Sequence, residues 1–226
     1  MLHFDRITRA GTDEVGIEIR NLVIAGWTGR DEAAVRHHIE ELAAIGVPAP
    51  SSVPVFYRAA AANLTQASRL EVLGPDTSGE AEPVLVSMVD GLWLGLGSDH
   101  TDRKAEAAGI ALSKQLCGKP IGTGLWPLAE VEDHWDELEL TASVLIEGQA
   151  VLYQQGRLAA MRHPRDLLSA SPEWPALPAG SAMFCGTLPA IGGIRPASRF
   201  TMELRDPVLG RTLRHAYAID VLQVVV

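Results

Sequence analysis

The chain has 226 residues, a formal net charge of −9, 47% hydrophobic and 21% charged residues. That length can bury a core as one generous domain or two small ones, and the composition is ordinary for a soluble globular protein. The acidic balance argues against a nucleic-acid or anionic-membrane surface, since either needs clustered Lys and Arg, yet it leaves room for an anionic small molecule at a bound metal. The first residues have no apolar signal region, no run is long enough to span a bilayer, and Cys117 and Cys185 lack metal-binding spacing. A cytoplasmic protein with reduced, buried thiols is expected.

Residues 15–28 begin with strict apolar alternation and predict a strand or a bent pair of strands. Thr28 and Asp31 resemble a capping box for a helix carrying Val35, Ile39 and Leu42 on one face, with Gly46 as its stop. His37 and His38 lie in that helix beside Arg36 and Glu40 and read as solvated. Residues 47–55 hold three prolines and two serines, a linker that divides a small strand-helix unit, 1–50, from the main domain, 51–226. The Ala-rich stretch 56–70 predicts a short helix, and 73–79 a loop.

Residues 80–103 carry the densest signal. Apolar runs 84–89 and 92–96 flank Asp90-Gly91, the sequence expected of a two-residue type I′ hairpin turn. A turn centred there sets Glu82 opposite Asp99, with Glu80 on the same face and diagonal to Asp99. Opposed Cβ atoms lie about 4.5–5.5 Å apart and diagonal ones about 7–8 Å. Three carboxylates so placed repel one another unless a cation sits between them, and Mg²⁺ or Mn²⁺ suits an all-oxygen set better than Zn²⁺. The alternative is a frayed hairpin base whose acids point into water. Gly95 and Gly97 on the same face leave space above the sheet for a ligand or another backbone.

Beyond the hairpin the sequence predicts a helix over 102–116, ended by Gly118 and Pro120, and a loop over 121–130. A strand over 138–146 turns at Glu147-Gly148 into 149–155, and Pro164 opens a short helix through Ala170. Strands follow at 182–186, 200–204 and 215–222, with a turn at 206–210. Strand runs dominate after residue 80, so the class is α+β with an antiparallel or mixed β core.

The order of these motifs resembles the C-terminal domain of the fumarylacetoacetate hydrolase superfamily. Glu80-Ala-Glu82 resembles its Glu-x-Glu pair, and Ser98-Asp99-His100-Thr101-Asp102-Arg103 its Asn-Asp-x-Thr/Ser-x-Arg. Lys114 falls at the family's Lys, Glu147-Gly148-Gln149 at its Asn-Gly-Glu turn, and Pro178 through Gly186-Thr187 at its late Gly-Thr-Pro segment. The likeness runs in order over about residues 53–222 and points to a branch classed as a domain of unknown function. It implies a mixed β-roll or sandwich core with a few flanking helices, and a small N-terminal β/α unit. It implies Mg²⁺ or Mn²⁺ held by Glu80, Glu82 and Asp99, with Lys114 as a second cation beside a developing enolate. The Gly186 amide, Thr187, Arg103 and Tyr57 are then candidates for substrate binding, although the family position of Arg103 more often makes it a structural partner of nearby acids. The implied activity is C–C cleavage of a small oxo acid such as an acylpyruvate, or decarboxylation, isomerisation or hydration on the same scaffold; a non-catalytic binder of metal and carboxylates is the alternative. Homodimers are implied, with residues 221–226 as interface or edge strand.

The sequence also departs from the family. The family's His–Glu dyad, which activates water, falls on Ala60 and Asn63, and Ser181 replaces the Asp of Pro-Gly-Asp. His100 is the obvious substitute base, although alternation turns it to the face opposite Asp99.

Overall fold

The structure, a computed structural model, describes residues 1–44 and 49–225. A hairpin of β1 (Leu2–Thr8) and β2 (Gly11–Ile17) leads into β3 (Asn21–Gly26), a bent pair of strands over 15–28. Helix α1 (Glu32–Ala44) starts where Asp31 Oδ1 accepts the Ala33 and Ala34 N–H groups, each at 3.0 Å. Asp31 is therefore the cap, not Thr28. His37 is exposed and pairs with Glu41, while the side chains of His38 and Leu42 and the expected stop at Gly46 lie outside the described residues.

The helix expected over 56–70 does not form. Its place is taken by β4 (Val55–Ala59), a three-ten turn, β5 (Leu64–Thr65) and β6 (Arg69–Leu73). Phe56 and Tyr57 pair with β3, and Leu70 and Val72 alternate into the core, so tertiary pairing overrides the helical preference of alanine. Next come β7 (Thr77–Ser78), β8 (Ala81–Met88), β9 (Gly91–Ser98) and β10 (Thr101–Asp102). Helix α2 (Ile110–Leu116) is shorter than the predicted 102–116, because β10, a three-ten turn and Gly109 occupy the first half. Strand β11 (Lys119–Pro120) follows α2, and β12 (Gly124–Pro127) and helix α3 (Leu128–Val131) occupy most of the stretch expected as loop over 121–130. The remainder follows expectation: β13 (Glu139–Ile146), β14 (Gln149–Arg157), α4 (Pro164–Ala170), β15 (Ser181–Phe184), β16 (Arg199–Asp206) and β17 (Arg211–Leu222).

An eight-stranded sheet runs β2-β1-β12-β9-β8-β15-β3-β4 and a five-stranded sheet β14-β13-β16-β17-β6. Both are mixed, since β1–β12, β15–β3 and β17–β6 pair in parallel, and the fold is α+β. Residues 2–26 supply three strands to the same sheet that holds β8 and β9. One apolar cluster fills the space between the sheets, with Leu85, Leu94, Leu96 and Met183 facing Leu140, Phe200, Met202 and Tyr217. A second cluster lies on the other face of the larger sheet, around Leu22, Ile24, Val84, Val86 and Phe184. Val15 and Ile17 from one edge and Tyr57 and Ala59 from the other pack against it, so the sheet curls round it as a roll. Strand β8 is therefore buried on both faces, which explains its nearly continuous apolar run from Pro83 to Met88.

The hairpin register differs from expectation by two residues. Met88 pairs with Gly91, so Val89 and Asp90 form the turn, and neither has positive φ. Asp90 is held by Arg6 Nη1 at 2.6 Å and Trp93 Nε1 at 3.2 Å, while Gly91 takes φ 136 at the strand start. The type I′ geometry appears instead at Glu147 and Gly148, with φ of 49 and 79. A shift of two preserves facing, so Glu80, Glu82 and Asp99 stay on one side; Glu80 is now opposite Asp99, and Glu82 opposite Gly97.

The space expected above Gly95 and Gly97 is filled. A Cβ on Gly95 would lie 2.7 Å from Leu125 Cδ2, and one on Gly97 2.7 Å from Phe184 Cε1. Gly97→Ala should cost about 1–3 kcal/mol, because the Phe184 ring is fully buried and has nowhere to move. Urea unfolding measures this; a loss below about 0.5 kcal/mol would contradict the packing described.

Candidate metal centre

Glu80, Glu82 and Asp99 converge at the end of the roll, where the β8–β9 ribbon leaves its apolar face. One oxygen from each lies within 4.8 Å of the others. Each carboxylate has its own support. Glu80 pairs with Arg103 Nη2 at 3.0 Å and lies 3.8 Å from Lys114 Nζ. Glu82 is buried and accepts the Gly186 N–H at 2.7 Å. Asp99 is fully buried between Lys114, whose ammonium donates to Oδ2, and Lys119, whose Nζ lies 3.0 Å from Oδ1.

The electrostatics show a site short of positive charge. Burial raises the Glu82 carboxyl well above the usual range, and the neighbouring Asp99 and Glu80 charges add to that. Burial would raise Asp99 too, but Lys114 and Lys119 hold it below its ordinary value. Burial alone would lower Lys114, yet Asp99, Glu80 and Glu82 raise it, so it stays an ammonium. Lys119 is lowered by its complete burial.

With Glu106, four carboxylates stand against the three cations Lys114, Lys119 and Arg103. Glu82 faces no ion-pair partner among the described residues, and buried Asp99 Oδ1 accepts no well-formed hydrogen bond. A hard divalent ion fits this donor set: three oxygens, charge still to be neutralised, and supports that hold each ligand from behind.

Three of the expected substrate-binding residues are engaged within the protein, Arg103 with the nearby acids that its family position implies. The Gly186 amide is taken by Glu82, and Thr187 Oγ1 donates to Ala81 O at 2.8 Å while accepting from Gln154 at 2.7 Å. Arg103 is engaged by Glu80, by Glu106 at 2.9 Å and by Ser78 at 2.6 Å. The Gly186 amide, the Thr187 hydroxyl and the Arg103 guanidinium thus each have partners within the protein. Tyr57 does reach the site, its ring centroid 6.0 Å from Lys114 Nζ, and burial raises its phenol above the ordinary value.

His100 faces the inter-sheet core. Its Nδ1 meets Tyr217 OH and its Nε2 meets Thr77 Oγ1, each at 2.9 Å, and burial pushes its pKa down to about 3. The segment at the dyad positions is tied to α2: Ala60 N–H donates to Gln115 Oε1 at 2.9 Å and Asn63 Nδ2 to Gln115 O at 2.8 Å. Ser181 accepts from Asn21 at 3.1 Å.

Sequence reading missed Lys119, Glu106 and the turn at Trp27-Thr28. Glu106 could have been found as an i,i+3 partner of Arg103. Trp27 has φ 58, a left-handed conformation unusual for a bulky residue, and it delivers Thr28 against Gly186. A Cβ on Gly186, whose φ is 102, would overlap Thr28 Oγ1, so only glycine can present that amide to Glu82.

A family model described as "Protein of unknown function (DUF2848)" matches residues 25–217. No curated protein sequence matches. Among solved structures, 2-keto-3-deoxy-D-arabinonate dehydratase complexed with magnesium and 2,5-dioxopentanoate superposes with a TM-score of 0.62 at 16% identity, covering 91% of this chain and 74% of that one. Yeast ynq8, a fumarylacetoacetate hydrolase family protein, gives 0.56 at 15%, covering 90% and 93%, and Cg1458 gives 0.62 at 13%, covering 94% and 80%. The fold is that of the fumarylacetoacetate hydrolase family.

His100 also gives a pH test. Its ordinary pKa near 6.5 falls to about 3 on folding, so the unfolded chain takes up the proton first. Its contribution to stability is complete above pH 7 and declines as pH falls from about 6.5 toward 3, with a slope approaching ~1.4 kcal/mol per pH unit. In metal-free protein, His100→Gln should flatten the urea-derived stability between pH 7 and 5; an unchanged slope would show that the imidazole is not held neutral.

Proposed function

The chain belongs to the DUF2848 family, and we propose that this member is an enzyme that depends on Mg²⁺ or Mn²⁺ and forms an enolate-like transition state from a small 2-oxo acid. The observation that carries the reading is the convergence of Glu80, Glu82 and Asp99 within 4.8 Å beside the buried ammonium of Lys114. The magnesium and 2,5-dioxopentanoate named for one structural relative support it. So does the net negative charge of the cluster, which one divalent ion would reverse, making the site attractive to a carboxylate. Bound there, the ion would act as a Lewis acid toward the oxo acid and supply several kcal/mol of charge stabilisation.

The chain's own residues do the rest. Lys114 holds a proton and a positive charge at Nζ beside the place where an enolate oxygen would develop. Arg103 and Lys119 fix Glu80 and Asp99, and the Gly186 amide fixes Glu82. Tyr57 lines the approach to Lys114.

C–C hydrolysis would need a base for water. Ala60 and Asn63 supply none, and both His100 nitrogens are engaged away from the cluster. That observation favours the second reading, a decarboxylase, isomerase or hydratase on this scaffold, which needs the metal and Lys114 but depends less on such a dyad. The same reading takes the protein as a cytoplasmic homodimer; exposed Leu73, Val221, Leu222 and Val224 offer an apolar surface, and no described helix is long and apolar enough to cross a membrane.

The test is turnover of a panel of 2-oxo and 2-oxo-3-deoxy acids with Mn²⁺, read by mass change. Activity should vanish with EDTA and return with Mn²⁺ or Mg²⁺, and Lys114→Met should lower kcat at least about 100-fold. Turnover unaffected by EDTA, or binding of such acids without turnover of any, would overturn the enzyme reading.

A further inference from the structure

Ala81 stands between two of the candidate ligands, and side chains rather than a strand hold its backbone. Strand β15 pairs with β8 only as far as Val84, with Cys185 N–H donating to Pro83 O at 3.0 Å. The chain then leaves the ladder at Gly186. On the other side Ala81 lies opposite Ser98, next to the hydrogen-bonded pair in which Asp99 N–H donates to Glu80 O at 2.9 Å. Its own N–H and C=O therefore point away from β9, toward a place where none of the described strands runs.

Two side chains take that place. Ala81 N–H donates to Gln154 Oε1 at 2.9 Å, and Thr187 Oγ1 donates to Ala81 O at 2.8 Å. Gln154 Nε2 closes the ring, donating to Thr187 Oγ1 at 2.7 Å and to Leu188 O at 2.6 Å. Gln154 is buried, its amide fully used, and it comes from β14 in the opposite sheet. Without it, a buried N–H between Glu80 and Glu82 would lack an acceptor, and the strand end would relax toward another partner.

We propose that Gln154 is a positioning residue for the metal centre, fixing from the five-stranded sheet the spacing at which Glu80 and Glu82 meet Asp99. The proposal rests on the metal reading, so the test separates the two. Mn²⁺ is titrated calorimetrically into the purified full chain and its variants. Wild type should bind, and Glu82→Gln should not; no wild-type binding would sink the metal reading and this proposal together.

Given wild-type binding, Gln154→Leu should weaken Mn²⁺ about 10–100-fold. Val144→Ala, a core change on β13 far from the cluster in sequence, should lower the melting temperature yet bind Mn²⁺ as wild type does, separating positioning from general stability. Gln154→Leu binding within twofold of wild type would overturn the proposal. Should that variant not fold, Thr187→Val and Thr187→Ser decide: weakened binding only in the variant lacking a hydroxyl supports the clamp, and equal affinities overturn it.

Discussion

Three carboxylates at the end of one ribbon repel each other, and the surrounding structure is arranged to contain that repulsion. Glu82 and Asp99 are buried with Glu80 beside them, where each unneutralised charge is far more costly than in water. Lys114, Lys119 and Arg103 are brought to them from α2, from β11 and from the turn after β10. Helix α2 has most of its surface exposed and little apolar area to bury; what holds it in place includes the buried Lys114 ion pair and Gln115, which grips the turn at 61–63. Removing one partner from such a cluster is expected to be more damaging than the mean value of an ion pair suggests, because the others would be left buried without compensation.

The same constraint explains why the backbone around the cluster is unusual. Gly186 and Trp27 both adopt positive φ; the first turns its amide to Glu82 on β8, and the second sets Thr28 against Gly186. The energy stored in such conformations is supplied by the roll behind them, where Leu22, Ile24, Val84, Val86 and Phe184 pack without gaps wide enough for a Cβ on Gly97. Apolar packing provides the rigidity, and the polar end of the ribbon uses it.

Much of this was legible in the sequence, and the failures have physical causes. The face shared by Glu80, Glu82 and Asp99 follows from strand alternation alone and survives a register error of two, because facing depends only on parity. The register itself was misread since Asp90-Gly91 resembles a type I′ turn. The actual turn is moved by contacts of Asp90 with Arg6 and Trp93, and Arg6 lies 84 residues away in the chain. The stretch 56–70 was read as helix for its alanines, when its fate is decided by pairing with β3 and β17. Lys119, Gln154 and Thr28 reach the centre by tertiary placement, which no local pattern encodes. Alternation turns His100 away from the cluster, and Tyr217 and Thr77 are the partners that hold it there.

The proposed function depends above all on a metal ion meeting the charge deficit at this ribbon end. The direct measurement is anomalous scattering from crystals grown with Mn²⁺. The account predicts one peak bonded to an oxygen of each of Glu80, Glu82 and Asp99, at roughly 2.0–2.3 Å, with the Lys114 ammonium displaced from its place on Asp99. Saturating Mn²⁺ with no peak between these three residues, and Lys114 still seated on Asp99, would contradict it.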